Sequence, residues 1–171
     1  NMTDEELHEL ECVACPSAGS CGGQFTANTM ACVSETIGLA LPGSAMTPAP
    51  FESRDQYAYE SGKVVMDLIE KNLRPRDIVT KQSLINAAIV VSASGGSTNA
   101  GLHLPAIAHE AGIDFNLEDV TKIFQSTPYI GNLAPGGKYV AKDLYEVGGV
   151  PVLIKTLILS LIHISEPTRQ V

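Results

Sequence analysis

Four thiols lie close together near the start of the chain, in the pattern Cys12-x2-Cys15-x5-Cys21-x10-Cys32. Three kinds of chemistry use cysteines at such spacing. A structural zinc site needs two close pairs of ligands, and here only Cys12 and Cys15 make one. A Cys-x-x-Cys redox pair follows a strand and opens a helix, whereas Pro16 and Ser17 lead into a glycine loop. An iron-sulfur site needs thiolates presented from loops whose backbone approaches the sulfurs, and Gly19-Ser20-Cys21-Gly22-Gly23 provides the small residues for that approach. Cys21 also precedes a helix start, where unpaired amides and the helix dipole favour a thiolate and an anionic cluster. Cys32 falls within an amphipathic pattern and reads as a small buried apolar residue, as does Cys12.

A second candidate is Ser94-Gly95-Gly96-Ser97-Thr98-Asn99, a glycine-rich turn into a helix. Ser97 and Thr98 there could hold an anionic group on free amides, or simply cap the helix in solvent. His103 and His109 are six residues apart and do not share a helical face as an i, i+4 ligand pair would, so they read as packing or surface residues.

These groups must be placed by helices. Met30, Val33, Ile37 and Leu41 recur at helical steps and predict a helix ending before Pro42 and Gly43. Ser53 with Gln56 makes a capping-box start for a helix through about Asn72, with Val64, Val65, Leu68 and Ile69 as its buried stripe. Pro75 begins another turn. Gln82–Val91 fits a helix or a buried strand, and helix is preferred. After the Ser94–Asn99 break, Leu102, Leu104, Ile107 and Ala111 predict a helix that Gly112 ends, with Pro105 near its start. Asn116 with Asp119 caps a further helix through Phe124, Tyr129–Leu133 reads as a short strand, Lys142–Glu146 opens a helix, and Gly148-Gly149 breaks the chain before Val150–Ile158.

The bulk properties narrow the partners. Nineteen acidic against eleven basic residues give a net charge of −8, and no Lys/Arg stripe could follow a nucleic acid backbone. Apolar runs such as Ala87–Val91 fall far short of the roughly 20 residues that cross a bilayer. With cysteines gathered at one end and a mean hydropathy of +0.12, the chain reads as a reduced, cytosolic, packed domain. Its start at Asn1 suggests truncation at the front. Leu159–Arg169 resembles the in-frame translation of a transposase adapter used in sequencing libraries, so residues 159–171 are expected to be a non-native tail and the fold to end near Ile158. The helices and short glycine-bounded connections suit one lobe of an α/β layer domain.

The segment Ala14-Cys15-Pro16-Ser17-Ala18-Gly19-Ser20-Cys21-Gly22-Gly23-Gln24-Phe25-Thr26-Ala27-Asn28-Thr29-Met30 resembles the cluster-binding signature of the dihydroxy-acid and phosphogluconate dehydratase family. The resemblance continues through Gly95–Leu104, Ala106–Gly112, Gly137-Lys138-Tyr139, Asp143-Leu144 and Gly148-Gly149-Val150-Pro151, in order, over about residues 12 to 156. It implies a mostly helical fragment, residues 1–158, of the family's N-terminal α/β/α layer domain. It also implies Cys21 as an iron ligand of a 2Fe-2S or 4Fe-4S cluster, with Cys15 beside the site.

The implied reaction removes water from a 2,3-dihydroxy acid to give a 2-keto acid in a homodimeric parent enzyme that also uses magnesium. The remaining cluster cysteines, the magnesium carboxylates and the serine base would come from sequence outside this chain. No catalytic residue is therefore expected here, and the isolated chain is expected to be inactive. The Gly-Ser-Cys-Gly-Gly-x-Phe-Thr-Ala-Asn-Thr-Met form leans to the branched-chain amino-acid enzyme over a sugar-acid or 6-phosphogluconate dehydratase. A non-catalytic zinc or thiol module is the alternative of another class.

Overall fold

The computed structural model describes residues 2–14 and 21–165, with side chains described through residue 160. Among these residues the chain is mostly helical. The helices are α1 (Asp4–Val13), α2 (Thr26–Ile37), α3 (Ser53–Glu70), α4 (Pro75–Ile78), α5 (Lys81–Ser94), α6 (Ala100–Ala111), α7 (Leu117–Ser126), α8 (Ala141–Glu146) and α9 (Gly149–Ser165).

α5 is the axis of the fold, and it settles the Gln82–Val91 ambiguity in favour of helix. Leu84, Ala87, Ala88, Val91 and Ala93 are fully buried, so apolar residues occur around the whole helix rather than along one stripe. One side packs with Val33 and Ile37 of α2, Leu104 and Ala108 of α6 and Val120 of α7. The other side, through Val90 and Ala93, packs with Cys32, Met46, Leu133, Leu144 and α9. Small residues at Ala87, Ala88 and Ala93 let the neighbouring helices approach closely. Thr80 begins α5 as a reciprocal cap with Ser83, and Gly95 ends it in the left-handed region at φ +72°, where a Cβ would also strike Tyr129.

Other starts and stops follow local chemistry. The Asn116 side chain accepts from the backbone N–H groups of Glu118 (2.8 Å) and Asp119 (3.3 Å), and Asp119 accepts from the Asn116 N–H (2.9 Å), as the cap pattern predicts. α2 ends four residues earlier than the apolar spacing suggests, because Gly38 takes φ +98° and turns the chain. Glu35 then accepts from the N–H groups of Gly43 (2.7 Å) and Ala45 (2.9 Å), folding the proline-rich loop back onto α2.

Three expectations need correction. Ser53 and Gln56 form no capping box: Glu52 is the N-cap, and the Gln56 amide donates to Glu60 instead. α3 buries none of its residues fully; Val65 is 52% and Ile69 65% exposed. Apolar residues fall on more than one side of α3, and nothing among the described residues covers the outer one. The segment Tyr129–Leu133 is not a strand either. The N–H groups of Ile130 and Gly131 both donate to the Ala93 carbonyl at the end of α5, and the sole bridge pair among the described residues joins Leu133 to Tyr139. A helix terminus with free carbonyls offered those amides a nearer partner than another strand did.

Candidate functional site

Cys21 lies in the loop immediately before α2, with its side chain exposed. The loop is held on three sides. From the first turns of α2, the Asn28 side-chain amide donates to the carbonyls of Cys21 (2.6 Å) and Gly23 (2.7 Å). Downstream, the Gln24 N–H donates to the Ala134 carbonyl (2.6 Å), and the Gly22 carbonyl accepts from the Ala141 N–H (2.7 Å). Gly23 is required by this contact, since a Cβ there would sit 2.7 Å from the Ala134 oxygen. The loop thus presents the thiol on a backbone whose carbonyls at Cys21, Gly22 and Gly23 are all hydrogen-bonded, a precondition for a precise ligand.

Beside Cys21 is a cleft of about 230 Å³ whose lining includes Gly22, Asn28, Thr47, Arg54 and Lys142. Arg54 donates to the Thr47 carbonyl (2.9 Å), and Lys142 pairs with Glu146 (3.1 Å). Two cations therefore border the only described thiol that faces this cleft. Neither was legible in the sequence: α3 and α8 bring them in from distant positions, and no local spacing marks them.

The other cysteines divide cleanly. Cys32 is fully buried in α2, donates to the Met46 sulfur (3.3 Å) and accepts from the Gln24 amide (3.5 Å). Burial pushes its thiol up to about 11; the Gln24 hydrogen bond opposes this and the nearby Glu35 carboxylate adds to it. A thiol kept neutral and walled in by apolar groups is a packing residue. Cys12, expected to be a buried packing residue, is instead exposed on α1, a helix that buries none of its residues, with its sulfur 3.9 Å from the His8 ring. Cys15 lies outside the described residues. No group of three or more His, Cys, Asp or Glu among the described residues could enclose a metal. The donor chemistry therefore fits one corner of an iron-sulfur cluster, at Cys21, and does not furnish a complete set.

The Ser94–Asn99 turn packs against the same end of α2. Thr29 accepts from the Ser97 N–H (2.9 Å), the hydroxyls of Thr26 and Ser97 are 3.2 Å apart, and the Asn99 amide donates to Thr26 (2.7 Å). The Ser97 groups are thus engaged within the protein, while Thr98 is exposed. His103 is half-buried and His109 exposed. Sequence reasoning passed over Gln24, which is fully buried between Cys32 and Ser94 and leaves its Oε1 without a hydrogen-bond partner. A polar residue in a glycine loop gives no signal of such burial.

Comparison with known proteins places these segments in a wider context. A family profile described as dihydroxy-acid/6-phosphogluconate dehydratase N-terminal matches residues 1–170. The chain is 71% identical over 158 residues to a protein of Parvibaculum lavamentivorans named dihydroxy-acid dehydratase, an alignment covering 92% of this chain and 27% of that protein. It is 72% identical over 157 residues to a protein of the same name from Dinoroseobacter shibae, again 92% of this chain and 27% of the relative. Similarity extends to Sulfurisphaera tokodaii, at 52% over 163 residues, 95% of this chain and 29% of the relative. The chain thus spans little more than a quarter of the length of the curated relatives it matches.

Proposed function

The chain belongs to the dihydroxy-acid/6-phosphogluconate dehydratase family, matching its N-terminal region, and from that premise we propose that it is part of a hydro-lyase. The reaction converts a 2,3-dihydroxy-3-methyl carboxylic acid to the 2-keto acid in branched-chain amino-acid biosynthesis, in a cytosolic homodimer. The single observation that carries this reading is the 71–72% identity to relatives named dihydroxy-acid dehydratase. It favours that substrate over a sugar acid or 6-phosphogluconate. The same identity disfavours a zinc or thiol module.

When bound, an iron-sulfur cluster would supply a Lewis-acidic iron for the hydroxyl that leaves C3, and magnesium would offset the charge developing on the enolate. Cys21 is the residue of this chain that would hold the cluster, with Cys15 nearby. Asn28 keeps the Cys21 carbonyl turned inward, so the side chain projects from a fixed backbone. Arg54 and Lys142 line the adjoining cleft and give an anionic carboxylate a favourable entry. Thr98 is the candidate for a second anion contact beyond α2; Ser97 would have to exchange its bonds to Thr29 and Thr26 to join it. The α/β/α layering belongs to the whole domain, whose remaining elements would cover apolar surface left open here. Residues 159–171 would be a non-native tail, into which α9 continues as far as Ser165.

The full-length protein, reconstituted anaerobically, is expected to form a 2-keto acid from 2,3-dihydroxy-3-methylbutanoate and to lose both cluster absorbance and activity on Cys21→Ser substitution. Turnover of gluconate or 6-phosphogluconate in preference would replace the substrate assignment. A Cys21→Ser protein with an unchanged cluster would remove Cys21 from the ligand set.

A further inference from the structure

The two cations that line the cleft beside Cys21 are not equivalent. Lys142 is held by Glu146 at 3.1 Å. Arg54 makes no ion pair among the described residues, whereas Arg74 pairs with Asp77 (3.1 Å) and Arg76 with Glu110 (3.6 Å). An unneutralised arginine is out of keeping with a chain of net charge −8. It also stands in the first turn of α3, where the positive pole of the helix dipole disfavours a cation; Asp55 shares that turn but does not pair with it. An anion in the cleft would remove both costs.

The form of the site narrows that anion. The guanidinium spends one hydrogen bond, from Nη1 to the Thr47 carbonyl (2.9 Å), which leaves the parallel donors of its Nε–Nη2 edge without an acceptor among the described residues. That edge matches the two oxygens of a carboxylate. The wall behind it is fixed: Glu35 holds the Gly43 and Ala45 N–H groups, and the Thr47 hydroxyl donates to the Gly43 carbonyl (3.0 Å). No Asp or Glu lines the cleft, and Ala27, Ala31, Ala45 and Met46 give it short apolar sides. Its volume of about 230 Å³ lies below the roughly 300–1,000 Å³ of sites for drug-sized ligands, which suits a small acid.

We propose that Arg54 binds the carboxylate of the substrate through its Nε–Nη2 edge, while Lys142, committed to Glu146, does not. The inference rests on the hydro-lyase reading above and deepens it by assigning the anchor of the acid. The full-length protein, reconstituted anaerobically, tests it through inhibition by 2-hydroxy-3-methylbutanoate, which lacks the hydroxyl that leaves, and by the neutral amide of that acid. Cluster absorbance and far-UV circular dichroism are the controls. The wild type should prefer the acid to the amide. Arg54→Gln should raise the KM for 2,3-dihydroxy-3-methylbutanoate and the Ki of the acid about 50-fold each, and leave the Ki of the amide within about twofold. Arg54→Lys, which keeps the charge but not the fork, should raise the Ki of the acid about tenfold, and Lys142→Gln less than about threefold. An Arg54→Gln protein that prefers the acid as strongly as the wild type, as when a carboxylate elsewhere in the longer polypeptide already holds the guanidinium, overturns the proposal. So does loss of the cluster with the fold intact, which would make Arg54 part of the cluster site. If the Gln variant does not fold, the Lys variant decides in the same way. Failure of the substrate reading shows separately, as wild-type preference for gluconate, and the anchor is then decided by the same variants on gluconate and its amide.

Discussion

Replacing Asn28 by alanine tests whether the Cys21 loop is held by the helix that follows it. The side chain is only 6% exposed, and its amide makes two short bonds, to the carbonyls of Cys21 and Gly23. A hydrogen bond of this kind contributes about 1 kcal/mol net, and leaving a buried carbonyl unsatisfied adds to the loss. Gly23 is buried, so its carbonyl loses most; Cys21 is exposed, so water replaces part of that bond. The expected loss is about 2–3 kcal/mol, or roughly 5–10 °C in Tm for a chain of this length. Urea unfolding followed by circular dichroism gives the stability, and the rate of Cys21 alkylation in a Cys12→Ser background reports the loop locally. Asn28→Ala should lower the first and change the second. A stability change under about 0.5 kcal/mol with unaltered alkylation would show that the downstream bonds from Ala134 and Ala141 suffice, and would refute the assigned role.

Three further outcomes are expected. Anaerobic reconstitution of the isolated chain should yield no stoichiometric cluster, since the described residues offer one corner; iron and sulfide at full stoichiometry on the monomer would contradict this. Gly23→Val should be more disruptive than a surface change, costing about 2 kcal/mol or more as the Ala134 segment is pushed away, which a melting curve measures. Cys32 ionises at 9.0 when unfolded and near 11 when folded, so its contribution is complete below pH 9 and is lost as pH rises towards 11. That loss is roughly 2–3 kcal/mol; unfolding titrations should show a steeper decline over this window than Cys32→Ala, and parallel curves would contradict it.

Much of this was readable before the structure. The Asn116 cap and the breaks at Gly95 and Gly112 depend on a few neighbouring residues, and they stand where the sequence puts them. Cys32 was legible as packing because it lies inside an amphipathic helical pattern, although it packs with Met46 and Val90 rather than with Val33 and Ile37. α3 was misjudged because periodicity finds apolar residues without saying which will be covered, and here Val64 and Leu68 face the fold while Met66 and Ile69 face outward. Tyr129–Leu133 was misread because its amides go to the α5 terminus, a partner fixed only in three dimensions. The meeting of Arg54 and Lys142 at the cleft beside Cys21 likewise arises from packing between elements far apart in the chain.

The bonds from Gln24 to Ala134 and from Ala141 to Gly22 have a temporal side. They join positions 110 and 119 residues apart, so closing them carries the entropy of a long loop and cannot precede synthesis of the downstream segment. While the ribosome is still making α5 to α7, the loop that carries Cys21 lacks these two anchors. Asn28 can hold the Cys21 and Gly23 carbonyls as soon as α2 forms, but the part of the loop's geometry set by Ala134 and Ala141 arrives only once α8 has emerged and docked.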